Sequence, residues 1–235
     1  MIDNFKTIEK FLQFEEGTFY KFELLVRNTD GNNVLYENGY SNTNKNILIK
    51  SWYVDNKEYL QKIKNEMITM ANLTGARLYM TLDRKDNVKL VQSLIHSYTD
   101  TLCAICNGQK PSIKNIAKTF ASETSKVENS SKGTKTLMWD VDTKDIQIKQ
   151  AVVDYIESKG QKAFILETKK GYHIFCFRKF NHADWLVDCH LRYKKLMSGK
   201  FTESFKNINE FKEYVSVKEN ELGLVYHPEK VFNEH

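Results

Sequence analysis

Apolar and polar positions recur along this chain with two periods, near 3.6 and near 2, and the switches between them mark its elements. A short amphipathic helix is predicted over residues 5–14, then three β-like runs at 18–27, 33–40 and 46–54. The link Asn28-Thr29-Asp30-Gly31-Asn32 carries an Asp-Gly turn signal, so the first two runs are expected to pair as a hairpin. A polar turn at 41–45 extends this to an antiparallel meander. Asp55 is placed to cap a helix running to about Leu73, with Tyr59, Leu60, Ile63, Met67 and Met70 on one stripe. A strand over 76–82, a long helix over 87–107 and a further helix opened by Pro111 and reaching Phe120 come next. The polar span 122–133 reads as a mobile loop. Beyond it, 136–177 reads as a βαβ-like unit: a strand, a helix over 144–158 carrying Ile148, Val152, Tyr155 and Ile156, a terminating Gly160, and a strand pair. Helices at 181–197 and 207–214 and a last strand at 223–226 complete an α+β order, with a mixed or antiparallel sheet flanked by helices. Residues 1–54 are set apart as a helix and β-meander subdomain, and 55–235 as the main domain.

Within this pattern, Leu137-Met138-Trp139-Asp140-Val141-Asp142 stands out. In a strand, Asp140 and Asp142 share one face while Trp139 and Val141 take the other. Adjacent like charges repel, and a divalent cation resolves that repulsion, Mg²⁺ being held by one or two carboxylates plus substrate phosphates. Downstream, Ile165-Leu166-Glu167-Thr168-Lys169-Lys170-Gly171-Tyr172-His173-Ile174-Phe175 places a polar, glycine-containing turn between two apolar runs. The backbone near Gly171, the ammonium groups of Lys169 and Lys170 and the imidazole of His173 suit contacts to a polyphosphate.

Composition adds bounds rather than a function. At 235 residues with 41% hydrophobic content, the chain is an ordinary globular length, and its two prolines argue against long extended linkers. Nothing approaches the roughly 18–20 apolar residues of a membrane span, and the first residues lack signal-peptide character. A cytoplasmic protein with no membrane partner is expected. The net charge of +5 suits a nucleic-acid partner without demanding one. Cys103 and Cys106, at helical spacing, read as buried thiols of a core helix, and no zinc site is expected from the four cysteines.

The order hydrophobic-Asp-x-Asp, helix, strand, Thr-Lys-x-Gly-Tyr-His resembles the archaeo-eukaryotic primase superfamily, and most closely its small phage-encoded members. Gly75-Ala76-Arg77-Leu78-Tyr79-Met80-Thr81-Leu82-Asp83 resembles the Ala-Arg-x-Tyr strand of that group, and Val217-Lys218-Glu219-Asn220 with Leu224-Val225-Tyr226 its last segment. The likeness covers roughly residues 47–228. It implies an RRM-like, primase-like sheet and a metal-dependent nucleotidyltransferase joining nucleotides on a template. Asp140 and Asp142 take the metal role, with Mg²⁺ or Mn²⁺, and His173 contacts the triphosphate as part of the catalytic set. Thr168, Lys169, Lys170 and Gly171 join His173 in binding nucleotide. Arg77 and Arg84 are candidates for phosphate contacts, although Arg77 suits a surface salt bridge equally well. The implied partners are nucleoside triphosphates, a single-stranded DNA or RNA template and a separately supplied phage replication helicase. Asp83 is read as a helix cap. One departure stands out: Ser216 falls where the superfamily places a third acid, unless Glu219 or Glu221 supplies it. A catalytically weak or inactive primase-like binding protein is therefore one alternative, and a metal-dependent nuclease is another, because paired carboxylates serve hydrolysis equally well.

Overall fold

A computed structural model describes residues 1–27, 46–132, 135–198, 207–219 and 221–229. In chain order its elements are β1 (Ile2–Asp3), α1 (Phe5–Phe11), β2 (Thr18–Val26), β3 (Ile47–Val54), α2 (Lys57–Thr74), β4 (Arg77–Thr81), β5 (Lys85–Asp86), α3 (Asn87–Cys106) and α4 (Ile113–Ser125). Then follow β6 (Thr136–Val141), α5 (Ile146–Ser158), β7 (Phe164–Glu167), β8 (Tyr172–Phe177), α6 (Trp185–Met197), α7 (Ile208–Tyr214), β9 (Val215–Glu219) and β10 (Leu222–His227). The chain is α+β, with two antiparallel sheets.

The first sheet runs β1-β10-β4-β2-β3, with β5 paired to the start of β2. Period-2 alternation sorts β2: Phe22, Leu24 and Val26 are fully buried with α1 and α2, while Lys21 and Glu23 take the opposite face. The second sheet runs β7-β8-β6-β9. Leu137, Trp139 and Val141 of β6 enter a core with α5, α6 and α7, where Trp139 meets Tyr155 edge-on at 5.9 Å. The other face of this sheet sends Met138, Phe164, Leu166 and Phe175 into the core of the first sheet, around Phe11 of α1. Asn4 fastens the two sheets: its side-chain amide donates to the carbonyls of Glu167 and Leu224, each at 2.9 Å, and accepts from the Glu167 N–H at 2.9 Å.

Several expectations are corrected. Asn56, not Asp55, caps α2, accepting from the Tyr59 N–H at 2.7 Å. Tyr59 lies on the exposed side of that helix. The 122–133 span continues α4 to Ser125, then makes a 3-10 turn over Val127–Asn129 in which Asn129, Ser130 and Ser131 are buried. Buried Lys85 holds this segment by donating to the Lys126 carbonyl and Ser130 Oγ. Asp83 caps no helix; its carboxylate accepts from Thr136 N–H and Oγ1 at 2.8 and 2.7 Å, tying the end of β4 to the start of β6. Cys103 and Cys106 are exposed, because α3 turns its apolar stripe outward. Residues 1–54 and the segment after them share one sheet, since β2 lies between β3 and β4. The middle run of the predicted meander, 33–40, lies outside the described residues.

Candidate functional site

The site grows from the register of β6. Asp140 stands directly opposite His173 of β8 on one side and Ser216 of β9 on the other, so these three side chains share a face. Lys218, two residues beyond Ser216, joins that face, and its Nζ donates to Asp140 Oδ2 at 2.6 Å. The other carboxylate oxygen, Oδ1, is 3.5 Å from His173 Nε2. Asp142 follows the end of β6 and is exposed, its N–H fixed to the Tyr214 carbonyl at 2.8 Å. The hydrogen bond to Asp140 raises the Lys218 ammonium pKa, with Glu221 and Asp142 adding to the effect. Burial lowers the His173 pKa below the ordinary histidine value, against the pull of Asp140, so the imidazole is neutral near pH 7. Its Nδ1 is buried with no hydrogen-bond partner among the described residues.

The Thr168–Gly171 turn is seated against the end of β6. A Cβ at Gly171 would fall 1.7 Å from the Val141 carbonyl oxygen and 2.7 Å from the Thr143 nitrogen, so only glycine permits this approach. The turn is closed from within: Gly171 N–H donates to Thr168 Oγ1 at 2.9 Å and Thr168 N–H to the Gly171 carbonyl at 3.0 Å. Lys144 Nζ reaches the Thr168 and Gly171 carbonyls at 2.7 and 3.3 Å. Lys169 and Lys170 are exposed beside it. The glycine thus sets the distance between the turn and the acidic pair, and its own N–H is already engaged.

From the first sheet, Arg27 at the end of β2 is close enough for its charge to act on His173, and its guanidinium lies 4.9 Å from the centre of the Tyr79 ring. Arg77 Nη1 donates to the Tyr79 hydroxyl at 3.5 Å. Arg84 is buried elsewhere, donating to the Gln13 carbonyl at 2.9 Å and pairing with Glu15. Glu219 is on the far face of β9 from Asp140 and pairs with Arg178 at 2.7 Å. Glu221 lines a cavity of about 160 Å³ with Glu23, Thr81, Asp83, Lys85, Ser125 and Leu222. Burial lowers the Lys85 pKa to about 8 there. Lys218 and Arg27 are the groups that sequence reasoning left unassigned. Strand parity with Ser216 carried the signal for the first, and parity with Lys21 and Glu23 for the second.

A divalent cation fits this donor set in a limited way. Asp140 and Asp142 supply two carboxylates on one side, enough for one Mg²⁺ or Mn²⁺ that also takes substrate phosphates. One Asp140 oxygen is held by Lys218, and Ser216 occupies the place opposite Asp140. Among the described residues no cluster of three acidic, histidine or cysteine side chains is arranged to hold a metal.

No family model, curated protein or solved structure matches the chain. Among the described residues no helix is long and apolar enough to cross a membrane.

Proposed function

We propose that this chain is a primase-like nucleotidyltransferase that joins nucleoside triphosphates on a single-stranded DNA or RNA template. The observation that carries this is the placement of Asp140 and His173 at paired positions of one sheet face, with the charges of Asp142 and of Arg27, from the other sheet, near enough to act on His173. The connectivity of the second sheet supports it as well. Strand, helix, two strands, helices and strand, arranged β7-β8-β6-β9, is an element order in keeping with a split β-α-β sheet.

Nucleotidyl transfer is mostly positioning and charge neutralisation. Asp140 and Asp142 would hold one Mg²⁺ or Mn²⁺, and the bound ion supplies Lewis-acid stabilisation of phosphate charge. His173, neutral at pH 7, serves as a hydrogen-bonding group, and Lys218 and Arg27 carry the positive charge facing the phosphates. Lys169 and Lys170, on the turn beside Asp142, suit the outer phosphates or the template backbone, and a helicase would bring the template from a separate chain. Arg84 has no place in this scheme because Gln13 and Glu15 already engage it.

A second function, nucleotide or nucleic-acid binding without efficient transfer, is favoured by Ser216 opposite Asp140 and by the Lys218 ammonium on that carboxylate. Both are tested by incorporation of labelled NTP and dNTP on single-stranded DNA with Mg²⁺ or Mn²⁺, comparing the native chain with Asp140→Ala/Asp142→Ala. Product made by the native chain and lost in the variant supports transfer. A folded native chain that binds nucleotide but makes no product supports the binding function.

A further inference from the structure

Helix α3 is amphipathic in the wrong direction for a helix packed on its own domain. Of its 20 residues only Leu90 is buried. Its inner side is polar: the Ser93 hydroxyl donates to Glu123, as does Ser97 Oγ at 2.7 Å, and Lys89 Nζ donates to the Ser130 carbonyl at 2.6 Å. Its outer side carries Val88, Val91, Ile95, Tyr98, Leu102 and Ile105, each between 38% and 65% exposed. These six recur at intervals of three, four, three, four and three residues, the a/d spacing of a seam that packs knobs into holes against another helix. Helices take most of their stability from packing an apolar face, and among the described residues nothing covers this one.

We propose that the outer face of α3 pairs with the same helix of a second copy, making the protein a two-fold dimer. Charge argues for self-pairing. The positions flanking the seam are Asn87, Leu94 and Thr101 on one side and Gln92, Thr99 and Cys106 on the other, none of them charged. Two identical chains of net charge +5 therefore meet along a neutral strip, with no like charges opposed. A lipid surface is a poorer occupant, since interfacial helices carry lysine and arginine along their polar side and α3 has a single lysine, turned inward. Area argues the same way. The six side chains present on the order of 500 Å² per copy, so pairing removes about 1,000 Å² from water, the lower limit for a specific interface. The patch on one copy, on the order of 500 Å², is at the upper end of what a monomer ordinarily exposes, the size at which such patches are often functional. The dimer is independent of the chemistry proposed above.

The test is sedimentation of the whole chain over a dilution series from about 100 μM to about 1 μM, a range that brackets micromolar association. The native protein should run as two chains at the top of the series and move toward one on dilution. Ile95→Glu/Leu102→Glu alters two side chains that are exposed in the single chain, so its circular dichroism should match the native spectrum while it sediments as one chain throughout. Should that variant fold poorly, Ile95→Ser/Leu102→Ser asks the same question, with an expected weakening of at least tenfold. A native protein that stays one chain across the series overturns the proposal. So does a folded variant that associates as strongly as the native chain.

Discussion

At the scale of single residues, the decisive contact is the one between Lys218 and Asp140. A lysine ammonium at 2.6 Å neutralises much of the charge that would otherwise attract a metal. Lys218→Met removes that competitor, and Mn²⁺ affinity measured by titration calorimetry should rise by up to roughly fivefold, the range in which partly exposed ion pairs act. Unchanged affinity would show that the ion and the ammonium do not compete. His173 sets a pH dependence. Its folded pKa is below the ordinary value of 6.5 because of burial. As pH falls below about 6.5 the unfolded chain therefore binds more protons than the folded one, and stability is lost. Above that range the contribution is fully present. Urea midpoints between pH 7.5 and pH 5 should fall more steeply for the native protein than for His173→Gln. Equal slopes would remove His173 from the account of acid sensitivity.

At the scale of elements, the turn between β7 and β8 works through shape. Gly171→Ala forces a methyl group into the Val141 and Thr143 backbone, so either the turn or the end of β6 must move. The cost should be about 3 kcal/mol or more, as for overpacking against rigid backbone, read as a shift in urea unfolding. Nucleotide binding should weaken with it, since Asp142 sits on the displaced segment. Much at this scale was legible from the chain. The 3.6-residue stripe of α5 and the parity of β6 put Trp139 and Val141 in the core and Asp140 on the other face. Three things were not legible. Periodicity reports that α3 has an apolar stripe but not which way it points, so Cys103 and Cys106 were expected inside and lie outside. Polar composition made 122–133 look like a loose connector, whereas Lys85, from a distant strand, holds its backbone in place. The ion pair of Lys218 with Asp140 was hidden for the same reason, because it depends on a pairing between strands 78 residues apart.

At the scale of the molecule, the first and last of the described strands meet: β1 pairs with β10, which also fills the edge of β4. Asn4 bonds to carbonyls 163 and 220 residues away. The sheet closed by these contacts carries Arg27 and Tyr79, and the sheet docked against it carries Asp140 and His173, so the candidate site exists only once both ends are in place. This has a consequence for the chain as it leaves the ribosome. β2, β3 and β4 can assemble early, with Met80 opposite Phe22, but the partner of Met80 on its other edge is Gly223. At ordinary synthesis rates β4 then waits on the order of ten seconds with one edge open. An open strand edge is a template for pairing with a neighbouring chain. Nascent chains of this protein are thus exposed to misassembly from the emergence of β4 until β10 has been made.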